Sequence, residues 1–357
     1  MSDTDFWGGR RAIVRRVIRA FPVRDTVAFF RDIGVTLHEE ADGKLFPDSN
    51  RARDVLDALL NETHRVGATL AADCRVVDIV VERDAGGFLV VTKQGDICAA
   101  RVVLATGGQS LPKSGSDGAG FDMARRLGHT VVPTTPALVP LLLAHDANPM
   151  HQELSGVAHV VELTLWVDGA VAIRLTGSLL WTHFGISGPV TLDMSRHWLR
   201  AQLDRRPTSL TASFCPGQPF DEIDAWWTAR AIERPQASLA STLATVLPAS
   251  VAAALLRRLA LDAGTSLAHL RRDDRRRLTH ALAAWPLEVI SSRGYNYAEA
   301  TAGGVALGEI DPATMQSRIC PGLFLVGEVL DVDGRIGGFN FQWAWSSARV
   351  AAAALGA

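Results

Sequence analysis

Residues 314–348 read TMQSRICPGLFLVGEVLDVDGRIGGFNFQWAWSSA, and this stretch decides the fold. Leu323–Val326 is continuously apolar, the composition of a parallel strand buried on both faces. Gly327 follows and lets the backbone approach a ligand. Glu328 then places a carboxylate at the strand's C-terminal end, the edge where open α/β sheets bind ligands. A carboxylate at that place suits the hydroxyls of a ribose or ribityl chain. Asp331 opens a second turn, and Gly337 and Gly338 leave room for a flat ligand against the backbone. The sequence then predicts a helix over Gln342–Leu355, with Phe339 and Asn340 in the loop before it. A helix start offers free N–H groups and partial positive charge. It would stabilise negative charge on the edge of a reduced flavin ring.

Working outward, Arg101–Thr106 is a second apolar strand, closed by Gly107-Gly108. Thr106, Gly107 and Gly108 bring the chain past a dinucleotide without side-chain obstruction. Lys113 follows on a loop, where a lysine is more often solvated than liganding. Helices are expected over Arg11–Ala20, Thr26–Ile33 (capped by Asp25) and Arg51–Arg65, the last with Val55, Leu56, Leu59 and Leu60 on one face. Ala68–Ala72, Arg75–Glu82, Gly87–Thr92 and Asp96–Ala100 read as strands. The proline-rich run 133–140 reads as a domain crossing. Beyond it, residues 156–182 alternate as strands, Thr182–Pro189 is a loop, and residues 221–284 are mostly helical.

The composition narrows the function. Apolar residues make up 48% of the 357, and Lys+Arg 36 against Asp+Glu 38 leaves a net charge of −2. Disorder and general polyanion binding are disfavoured, so no nucleic-acid partner is expected. The run Arg271–Arg277 reads as a solvated helix face of mixed charge. The four cysteines show no CxxC or zinc-like spacing, so no metal is expected and a reducing cytoplasm fits. No apolar run approaches the roughly 20 residues of a membrane span.

The segments 104–121, 136–141, 182–189, 301–307 and 314–348, in this order, resemble the bacterial YhiN/BaiN-type flavoproteins of the glutathione-reductase-like superfamily. The resemblance implies an FAD-dependent oxidoreductase with a discontinuous α/β, Rossmann-like FAD-binding domain. Its parts would be residues 1–137 and 300–357. A β-rich domain (138–216), a helical domain (217–285) and a return strand (286–299) would be inserted between them. Cofactor contacts would fall on Thr106, Gly107, Gly108, Gly327, Glu328, Asp331, Gly337, Gly338, Phe339 and Asn340. NAD(P)H or a small organic substrate would supply hydride to an unsaturated or oxidised acceptor. His183 is the candidate proton donor; its other reading is a hydrogen-bonded loop residue. The family opens with a strand and a G-x-G-x-x-G turn, and no such pattern precedes Gly67 here. The first βαβ unit is therefore expected to be missing. A rival expectation is a truncated, non-catalytic remnant that does not hold FAD.

Overall fold

Leu323–Leu325 is buried at all three residues and pairs in parallel with Val102–Leu104, Leu323 opposite Val102. Both apolar stretches thus form the parallel strands that their composition indicates. The computed structural model describes residues 1–40, 43–82, 86–145 and 150–356. The chain is a mixed α/β protein that divides into two units: Met1–Thr134 with Ala300–Ala357, and Thr135–Glu299.

The first unit joins small sheets to helices. Phe6–Gly8 runs antiparallel to Val332–Gly334. Val76–Val81, Phe88–Thr92 and Ile97–Ala99 form an antiparallel meander. Leu37–Glu39 pairs with Leu45–Pro47, a hairpin the sequence reading missed. One core gathers Phe6, Val14, Val17, Phe88, Leu104, Leu323, Leu325, Phe339 and Trp343. Each such side chain contributes about 1.5–3 kcal/mol by leaving water.

Several local expectations are corrected. The second helix is Val23–Asp32, begun by Pro22 rather than capped by Asp25. Pro22 fixes the extended entry and lacks only an N–H that a helix start does not use. Residues 68–72 are not a strand. Helix Ala52–Arg65 forms, yet none of its residues is buried, and Leu56 is 49% exposed. The proline-rich run also carries part of the strand Val131–Ala137, which tolerates prolines because its sheet has only two strands, and the division between the two units falls within that run, between Thr134 and Thr135. The C-terminal helix is Phe339–Leu355, so Phe339 and Asn340 belong to its first turn.

The second unit is built on a seven-stranded antiparallel sheet. Its centre is the hairpin Ala158–Val167 and Ala170–Thr182. Asp168 and Gly169 both take positive φ between them, the backbone of a tight hairpin turn. Val161, Leu163, Leu165 and Val167 point one way from the first strand and are buried. The expected loop Thr182–Pro189 contains a strand, Gly185–Ser187. Helices Pro189–Leu203, Phe220–Glu233, Leu239–Leu243, Ala249–Arg258 and Arg272–Ala283 share one core with this sheet.

Candidate functional site

The sequence-derived cofactor residues lie in the first unit, on the loops that leave the parallel strands and at the start of the C-terminal helix. After Leu104 the chain turns through Thr106, which is exposed, to Gly107 and the buried Gly108. After Leu325 it turns through Gly327 to Glu328. The Glu328 carboxylate accepts the N–H of Gly108 at 3.2 Å and the N–H of Thr301 at 2.6 Å. It thereby ties the Gly107-Gly108 turn to the strand Ala300–Val305. Thr301 Oγ1 reinforces this by accepting the N–H of Gln109 at 2.8 Å and sharing a hydrogen bond with Ser110 Oγ at 3.0 Å. The approach is so close that a Cβ on Gly108 would fall 2.4 Å from Thr301 Oγ1. Burial pushes the Glu328 carboxyl above its ordinary value; the N–H groups of Thr301 and Gly108 oppose the rise and the Asp333 carboxylate adds to it.

Gly327 is fixed from the other side. Its N–H donates to Ser347 Oγ at 2.9 Å, and its carbonyl accepts the Trp343 indole N–H at 3.0 Å. Trp343 is therefore an anchor between helix and loop as well as a core residue, which its spacing alone did not reveal.

The loop 331–338 is closed by its own neighbours. The Asp331 carbonyl accepts the N–H of Gly9 at 2.7 Å. Asn340 Oδ1 accepts the N–H of Gly334 at 2.7 Å, and its Nδ2 donates to Gly334 O at 3.1 Å. The Phe339 ring meets Phe6 edge-on at 5.9 Å and lies 4.4 Å under the Arg335 guanidinium. Asn340 and Phe339 thus spend their side chains on the fold. Gly338 precedes the helix at φ 90°, no side chain caps the helix, and a Cβ on Gly338 would meet nothing within 4 Å. The first-turn N–H groups, which a helix leaves without internal acceptors, are approached through open space. Such an end is chemically suited to an anionic edge; the open space is at Gly338, whereas a Cβ on Gly337 would already touch the Phe339 ring at 3.5 Å and the Lys44 side chain at 3.7 Å.

His183 is exposed and belongs to the second unit, apart in the chain from the cofactor candidates. Its ring meets Phe184 edge-on at 5.0 Å. In the same unit, Arg293 sets its guanidinium 4.6 Å from the Phe184 ring centre and 3.4 Å from that of Tyr297. This stack was missed because residues 184 and 293–297 are remote in sequence. Lys113 is exposed.

A second missed arrangement joins His129, Glu309 and Ser317. His129 Nδ1 is 2.9 Å from Glu309 Oε2, and its Nε2 is 2.9 Å from Ser317 Oγ. Ser317 Oγ also accepts the N–H groups of Ile319 and Cys320. Ser317 is buried and its oxygen saturated, so the trio holds the turn before Leu323 rather than offering a nucleophile. Burial disfavours the Glu309 charge, but hydrogen bonds from Thr130 and His129 hold its carboxyl below the usual range.

Among the described residues, no group of three or more His, Cys, Asp or Glu is placed to hold a metal ion. Among the same residues, no helix is long and apolar enough to cross a membrane.

Comparison with known proteins places this geometry in a family. A ribosomal RNA dihydrouridine synthase of Escherichia coli (strain K12) is 31% identical over 334 residues, 94% of this chain and 79% of that protein. A 3-dehydro-bile acid delta(4,6)-reductase of Clostridium scindens is 29% identical over 351 residues, 98% of this chain and 84% of that protein. Among solved structures, the open conformation of a flavocytochrome c3 fumarate reductase matches with a TM-score of 0.43 and 16% identity, over 96% of this chain and 64% of that one. The family model described as HI0933-like protein Rossmann domain matches residues 4–354, and the chain belongs to that family, the YhiN/BaiN-type flavoproteins its motifs resemble.

Proposed function

We propose that the protein is an FAD-dependent reductase that saturates a carbon–carbon double bond conjugated with a carbonyl group. The observation that carries the reading is the uncapped start of helix Phe339–Leu355, reached through the open space at Gly338. Family membership supports FAD as the cofactor. The names of two relatives support the reaction class, since a dihydrouridine synthase and a delta(4,6)-reductase both reduce such bonds.

FAD, when bound, supplies a carrier that takes hydride from NAD(P)H or a reduced small molecule and gives it to the acceptor. The chain's own residues do the rest. Backbone N–H groups at Phe339 and Asn340 stabilise negative charge on the ring edge. Glu328 accepts the N–H groups of Gly108 and Thr301, and its remaining acceptor positions would hold ribityl hydroxyls. Thr106, Gly107 and Gly108 would pass beside the dinucleotide, while Gly327 and Asp331 would shape the turns that flank it.

The test is the visible spectrum of the purified chain after incubation with excess FAD. Flavin absorbance that survives gel filtration, together with NAD(P)H oxidation driven by a conjugated enone, is the expected result. Gly338→Ala should weaken FAD retention at a stability cost of only about 1–2 kcal/mol, the strain of a left-handed backbone without a clash. A chain that stays colourless under all conditions would sink the reading.

A further inference from the structure

We propose that the second unit carries a pocket for a single nucleotide, with the base against Trp226 and the phosphate against Arg234 and Arg230. The proposal stands independently of the reductase reading. A cavity of about 250 Å³ opens between helix Phe220–Glu233 and the turns around Leu239–Leu243. It is smaller than drug-sized sites of about 300–1,000 Å³, so it suits one planar ring and one anionic group.

Trp226 and Arg230 are spaced four apart on helix Phe220–Glu233 and so share one of its faces, and Arg234, the residue that ends the helix, continues the lining of the cavity. Trp226 is held edge-to-face at 4.8 Å by Trp227, which is fully buried behind it. Its indole thus offers a pre-set flat surface. Arg230 places Nη1 2.8 Å from Glu233, while its buried Nε has no acceptor. The Arg234 guanidinium has no ion-pair or hydrogen-bond partner among the described residues, and it is the principal charge available to an anion.

The opposite wall carries Ser241 and Thr245. Ser241 Oγ donates to Ser238 O at 3.0 Å and Thr245 Oγ1 donates to Thr242 O at 2.7 Å. Their protons are committed, so both hydroxyls face a ligand as acceptors. An aromatic face, a free guanidinium and a pair of acceptors match the π-surface, phosphate and N–H edge of a nucleotide.

Arginines of the basic run are engaged with carboxylates of their own unit. Arg275 is paired with Asp224, and Arg271 and Arg277 with Asp274. A pocket for one nucleotide needs no basic track, and its salt dependence is accordingly shallow. Two contacting arginines give a log–log slope of about −1.4 on a single strand. The nucleotide could be free or part of an RNA strand, and the experiment separates these sources.

The full chain is titrated into fluorescein-labelled hexauridylate and followed by anisotropy, with UMP and inorganic phosphate as competitors. Arg234→Glu should weaken binding at least tenfold, with partial recovery in Arg234→Lys. Trp226→Leu should weaken it roughly five- to hundredfold, the range of base–aromatic stacking, while Trp226→Phe retains most of it. Circular dichroism checks folding; should Trp226→Leu unfold, the Arg234 pair and Trp226→Phe decide. Displacement by UMP at the concentration of hexauridylate nucleotide assigns the site to free nucleotides; preference for the hexamer assigns it to a strand. Binding unchanged in Arg234→Glu, displacement equally strong by inorganic phosphate, or no binding of either probe overturns the proposal.

Discussion

Glu328 is a carboxylate held by two backbone N–H groups in surroundings that disfavour its charge. Its effect on stability has a definite sign. A carboxyl whose pKa is raised on folding binds its proton more tightly in the folded state. Its contribution is complete below the ordinary value of 4.5 and is lost as pH climbs through the raised one. Glu328→Gln is uncharged throughout and should remove this decline. Unfolding free energies of the two proteins, measured by urea titration across that window, should diverge in slope; parallel curves would contradict the burial argument. The role of Glu328 was legible in sequence only as a carboxylate at a strand end. Its bonds to Gly108 and Thr301 were not, since both partners are far away in the chain.

At the scale of elements, legibility depended on whether local composition and tertiary context agreed. Leu323–Leu325 and Val102–Leu104 were readable because unbroken apolar runs admit few alternatives. Gly185–Ser187 was read as loop because Gly and Ser signal turns. It is a strand because Gly185 and Ile186 pair with the segments on both sides. The N-terminal boundary of the last helix was misread because Gly-Gly-Phe-Asn resembles turn chemistry through Asn340. Helix Ala52–Arg65 is the opposite case: its apolar spacing was legible and its lack of burial was not. The contrast can be measured. Leu56→Ala should cost less than about 1 kcal/mol, whereas Leu163→Ala, fully buried in the sheet core, should cost about 2–5 kcal/mol. A large loss at Leu56 would mean that something covers this helix in solution.

At the scale of the whole molecule, the chain is organised by two separate hydrophobic cores, one of which is contiguous in sequence. Residues 135–299 hold their own seven-stranded sheet and the helices that cover it. Expressed alone, this segment should unfold cooperatively in denaturant, with a slope in proportion to its buried surface; a broad, non-cooperative transition would show that its core depends on the rest of the chain. The ends of the segment lie together. Glu299 donates its N–H to Leu138 O, and Arg293 donates to Pro140 O. On the host side, Ala306 donates to Thr130 O. Each unit thus closes on itself where the chain passes between them. An insert with meeting ends can be lengthened, trimmed or exchanged during evolution without displacing the termini of its host. A lineage built this way can diversify what it recognises at one place while its older chemistry drifts at its own pace elsewhere.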